Sequence, residues 1–101
     1  MAWQRVGSVA DVQVDAPLAV TVSEKQLAVY RIGDDFYALD DVCPHAFALL
    51  SSGFVEGDKV ECPLHQALFH IPTGKCLGPP AETDLVAFPV KVEGGDILID
   101  V

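Results

Sequence analysis

Hydrophobic and polar residues alternate with a period of two along much of the chain, the pattern of strands with one buried face. The clearest case lies near the C-terminus. There Phe88, Val90 and Val92 alternate with Pro89, Lys91 and Glu93, Gly94-Gly95 supplies a turn, and Ile97, Ile99 and Val101 alternate with Leu98 and Asp100. This predicts a hairpin. A second hairpin is predicted where residues 27–32 meet 36–39 across Gly33-Asp34, and further strands at 4–6, 19–22, 53–61 and 68–71. No stretch combines helical periodicity, caps and adequate length. The expected fold is therefore all-β, built from small antiparallel sheets in one domain spanning residues 1–101.

The region from about Asp41 to Ala81 breaks the alternation. It holds all three cysteines and all three histidines. It reads as a loop-rich site inserted into a β framework whose other strands flank it, with chemistry on loops and rigidity in the sheets.

Composition narrows the options. Half of the residues are hydrophobic, so disorder is not expected. Fifteen acids against six bases give a formal charge of −9. That argues against nucleic acid and anionic membranes, whose phosphates reward Lys and Arg, and suits a basic protein partner. Residues 1–10 lack a secretory pattern and no apolar run reaches the ~20 residues of a membrane span. The expected location is the cytoplasm, where cysteine clusters more often bind metal than form disulfides.

Two short motifs carry the chemistry: Cys43-Pro44-His45 and Cys62-Pro63-Leu64-His65. Sixteen residues separate His45 from Cys62, and Gly53 and Gly57 among them permit an out-and-back strand pair that sets both motifs on neighbouring loop tips. Each motif offers one soft thiolate and one imidazole. Three sites fit that donor set. A Rieske-type [2Fe–2S] cluster takes two thiolates on one iron and two imidazoles on the other, one of each per loop. A structural zinc ion accepts two Cys and two His, but the cysteines then usually share one knuckle and the histidines another. A Cys43–Cys62 disulfide would leave both histidines idle.

The segments Asp41-Val42-Cys43-Pro44-His45, Val60-Glu61-Cys62-Pro63-Leu64-His65, Phe69 to Gly74, Gly78-Pro79-Pro80-Ala81 and the closing hairpin resemble the Rieske-type ferredoxins of bacterial aromatic-ring-hydroxylating dioxygenase systems. The resemblance runs over essentially the whole chain. It implies a Rieske fold and one [2Fe–2S] cluster held by Cys43, His45, Cys62 and His65. It also implies that Gly78, Pro79 and Pro80 form a third loop over the cluster. Its implied partners are a flavin-containing reductase that supplies one electron and a terminal ring-hydroxylating oxygenase that receives it. High-potential Rieske proteins carry two further cysteines where this chain has Ala48 and Leu64, and a hydroxyl where it has Gln66 and Ala67. Fewer hydrogen bonds to the cluster sulfurs imply a potential near about −150 mV, the low end of the Rieske range.

With two histidines committed, His70 cannot assemble a mononuclear iron with two His and a carboxylate, so the chain is expected to carry electrons and not to oxidise substrate itself. Two other functions remain possible for the motif: a small Rieske subunit of an assimilatory nitrite reductase, and a zinc-stabilised interaction module.

The remaining residues are given plainer roles. Cys76 is expected as a small, at least half-buried residue and His70 as structural. Asp34-Asp35 and Asp40-Asp41 are expected as solvated acids at strand ends, and Trp3 and the other aromatics as core. Pro44, Ala46, Phe47, Leu64, Ala67, Pro79 and Pro80 are expected to form an apolar collar for partner docking.

Overall fold

The computed structural model describes residues 2–14, 16–43, 48–63, 67–77 and 83–101. Among them lie ten strands: β1 (Trp3–Ser8), β2 (Leu18–Val22), β3 (Lys25–Ile32), β4 (Asp35–Asp40), β5 (Phe54–Glu56), β6 (Lys59–Glu61), β7 (Leu68–His70), β8 (Ala87–Phe88), β9 (Val90–Glu93) and β10 (Asp96–Asp100). They make three antiparallel sheets, ordered β1-β10-β9, β2-β3-β4-β8 and β5-β6-β7. The only helical segments among the described residues are two three-residue 3-10 turns. The all-β expectation holds.

The middle sheet is covered on both faces, and its sequence shows why. In β3 the run Leu27-Ala28-Val29-Tyr30 is apolar at every position, as a strand between two layers requires. Leu27 and Val29 join Ala38 of β4, Val12, Ile97 and Ile99 in one core against the first sheet. Ala28 and Tyr30 point the other way and join Leu39, Leu50, Val60, Phe69 and Ile71 in a second core against the third sheet. Because side chains alternate across a strand, one four-residue stretch stitches two cores together.

The closing hairpin is shorter than the alternation suggested. It pairs β9 with β10 from Asp96↔Glu93 to Ile99↔Val90. Phe88 belongs to β8 in the middle sheet, opposite Ala38. Pro89 lies between the two strands and has no N–H to extend a ladder, so the chain changes sheets there. The strand region expected at 53–61 is the out-and-back pair that Gly53 and Gly57 permit: the hairpin β5–β6, turning at Gly57 with φ +60°. The β2–β3 turn uses Ser23 and Glu24 at φ 51° and 66°, without a glycine to announce it.

Candidate metal centre

The third sheet and the end of β4 deliver the two cysteines. β4 stops at Asp40, and Cys43 follows within three residues; β6 stops at Glu61, and Cys62 follows at once. The Cys43 amide donates to the Ala48 carbonyl at 2.9 Å, and the Cys62 amide donates to the Ala67 carbonyl at 2.8 Å. Each hydrogen bond closes a span of the same length, from a buried cysteine to a buried alanine five positions on. Both cysteines lie in the same core, with Tyr30, Leu50 and Phe69. The sequence placed the two motifs on neighbouring loops, and the structure roots both loops in one core.

His45 and His65 occupy positions inside the two closed spans, and both lie outside the described residues, as do Gly78, Pro79 and Pro80. The segment leading to that third loop is described. Phe69 bridges to Cys76, and the Leu77 amide donates to the Leu68 carbonyl at 2.8 Å, so this segment borders β7. No disulfide joins Cys43 to Cys62, which removes that alternative.

The donor set fits a binuclear iron–sulfur group. Its two cysteines are withdrawn from water, each amide is bonded to the carbonyl five positions on, and each span so closed contains one histidine in sequence.

The surroundings bring corrections. Asp41 is not solvated: it is 1% exposed, and its carboxylate accepts from the Ser51 amide at 2.6 Å and the Ser51 hydroxyl at 2.7 Å. Two donors on one residue offset the cost of withdrawing the charge from water. Tyr30 is also fully buried; burial, and then the nearby Asp41 carboxylate, push its phenol well above the usual tyrosine range. Its hydroxyl has no hydrogen-bond partner among the described residues.

Ala67 is buried in the core and its carbonyl accepts from the Cys62 amide, so it cannot contribute to a docking collar. The other collar residues lie outside the described set. Sequence reading missed Leu49 and Leu77, two exposed leucines on the shoulders of the first and third loops. Their positions, each directly bordering a cluster-loop segment, were the available signal.

Trp3 is 41% exposed and carries the Lys91 ammonium 4.5 Å from its ring centre, and Phe54 is 65% exposed, so neither is core. Strand alternation turns both outward from the buried rows of their sheets. His70 is structural, as expected: Nδ1 contacts Thr73 Oγ1 at 2.9 Å and Nε2 contacts Asp58 Oδ2 at 3.2 Å, tying β7 to the β5–β6 turn. Cys76 is half-buried, with its amide donating to Asp84 Oδ1 at 2.7 Å.

Three stacked antiparallel sheets carrying two buried thiols at the roots of matched loops define a small cluster-binding β protein. Residues 2–89 match the model of the Rieske [2Fe–2S] domain, and the chain belongs to that family. It is 47% identical over 93 residues to the 3-phenylpropionate/cinnamic acid dioxygenase ferredoxin subunit of Escherichia coli K12, covering 91% of this chain and 87% of that one. The Sphingomonas yanoikuyae B1 ferredoxin superposes with a TM-score of 0.94 at 33% identity, over 99% of both chains. The ferredoxin in a complex of reduced oxygenase and oxidized ferredoxin from carbazole 1,9a-dioxygenase gives a TM-score of 0.90 at 39% identity, over 96% of this chain and 91% of that one. The chain is thus a Rieske-type ferredoxin, an electron carrier with one [2Fe–2S] cluster and not itself the catalyst.

Proposed function

We propose that Cys43, His45, Cys62 and His65 hold the cluster, and that the chain accepts one electron from a flavin-containing reductase and passes it to a terminal ring-hydroxylating oxygenase. Residues 1–101 form a single domain in this reading, with about 41–81 as its cluster-bearing part, working in the cytoplasm. The observation that carries it is the pair of equal hydrogen-bonded spans that root two buried thiols in one core. When bound, the group supplies reversible one-electron transfer. The protein's own part is to hold the two loops rigid, keep water from the thiols and present the loop tips to a partner. No helix among the described residues is long and apolar enough to cross a membrane.

Docking falls to the loop shoulders. Exposed Leu49 and Leu77 offer apolar contact there, and the −9 formal charge draws in basic partners over a distance. A contact of this kind is small and short-lived, as a shuttle between two proteins needs.

The test uses purified, iron-loaded protein with a flavin reductase, its reduced nicotinamide and a ring-hydroxylating oxygenase. Oxygenase reduction that requires this chain, and that fails in Cys43→Ser and Cys62→Ser variants, supports the proposal. Stable co-purification with a sirohaem enzyme and no transfer to an oxygenase would overturn it.

A further inference from the structure

The two cluster loops are rooted differently. The Cys62 loop continues a sheet: Glu61 still pairs with Leu68 across β6 and β7, and the Cys62–Ala67 bond lies one step further out. The Cys43 loop has no sheet beneath it, because β4 ends at Asp40. Its place is taken by a short zipper. The Leu50 amide donates to the Asp41 carbonyl at 2.8 Å, Val42 bridges Leu49, and the Cys43 amide donates to the Ala48 carbonyl. At the base of this zipper the Asp41 side chain grips Ser51 through both oxygens, while the Asp41 amide donates to the Gln26 carbonyl at 2.9 Å.

Asp41 is also the one buried charged residue among those described. Its hydrogen-bond donors are a backbone amide and a hydroxyl, both neutral, and no ion pair reaches it among the described residues. Neutral donors satisfy its lone pairs but leave its net charge uncancelled, two residues from Cys43. In a poorly polarisable interior that charge opposes the arrival of an electron nearby.

We propose that Asp41 is a positioning residue with two roles: it clamps the base of the Cys43 loop through Ser51, and its fixed negative charge holds the reduction potential down. The proposal rests on Cys43 being a cluster ligand.

Two substitutions separate charge from clamp. In Asp41→Asn the remaining oxygen still accepts from the Ser51 amide, and the new amide donates to the Ser51 hydroxyl, so the clamp survives without its charge. In Ser51→Ala the charge survives with one donor fewer to disperse it. Redox titration of the iron-loaded protein should show reduction becoming about tenfold more favourable in Asp41→Asn, which is about +59 mV for a one-electron couple. It should become about threefold less favourable in Ser51→Ala. The EPR line shape and the slow hydrogen exchange of the Cys43 amide should persist in Asp41→Asn.

A merely structural role would shift both variants in the same direction or leave both unmoved, and either result overturns the proposal. Should Asp41→Asn fail to retain iron, the Ser51→Ala titration decides alone: a potential equal to or above that of the unaltered protein overturns it. Absence of iron and sulfide from the unaltered protein would instead defeat the ligand assignment. Hydrogen exchange at the Cys43 and Leu50 amides would still test the clamp, with fast exchange refuting it.

Discussion

Gly53 runs against the Glu61 carbonyl oxygen so closely that a Cβ at position 53 would overlap it. The contact presses the start of β5 onto the residue just before Cys62, where β6 hands over to the second cluster loop. Backbone cannot retreat as the end of a flexible side chain can. Gly53→Ala is therefore expected to lower stability by about 2–3 kcal/mol in denaturant unfolding and to speed loss of iron on incubation with a chelator. Unfolding within about 0.5 kcal/mol of the unaltered protein would show that the two segments part easily.

Tyr30 gives the protein an alkaline weakness with a definite sign. Its native phenol keeps its proton to a higher pH than the unfolded chain, whose value is 10.0. Above that pH the native state binds more protons than the unfolded one, so stability falls as pH rises. Below it the contribution is constant. The expected loss is about 1 kcal/mol per pH unit beyond pH ~10. Tyr30→Phe should flatten that decline and leave stability at pH 7 equal or slightly higher, since the hydroxyl it removes is buried and has no partner among the described residues. An unchanged alkaline slope in Tyr30→Phe would assign the decline to other groups.

Electron delivery should weaken with salt. A formal charge of −9 attracts a basic partner across roughly 30 Å at 0.01 M ionic strength but only about 3 Å at 1 M. Stopped-flow reduction of an oxygenase is expected to slow about tenfold between those limits. A rate independent of salt would leave apolar contact at the loop shoulders as the sole basis for docking.

The sequence was most readable where chemistry and spacing coincide. Cys43 and Cys62 stood out because thiols paired with histidines are rare, and Gly53 and Gly57 marked the hairpin that brings their loops together. The alternation of Ile97 and Ile99 with Leu98 and Asp100 was legible too, because the first pair is buried and the second only half-buried. Phe88 misled: it fits the hairpin's period, but Pro89 moves it to another sheet. Asp41 was misread because a strand-end acid usually meets water, and only the fold reveals that Ser51, ten positions on, satisfies it. Trp3 and Phe54 were misread because aromatic character says nothing about which face of a strand a residue occupies.

The low end of the Rieske range, about −150 mV, is the expected potential, for want of the extra cysteines and hydroxyl of high-potential relatives. A midpoint above roughly +50 mV would contradict this expectation.

Low-temperature EPR of the reduced, freshly purified protein, alongside iron and acid-labile sulfide analysis, tests the cluster assignment most directly. The expected result is two irons and two sulfides per chain, with a one-electron signal showing nitrogen coupling from two imidazoles. Zinc in place of iron, or an EPR-silent protein without sulfide, would contradict it.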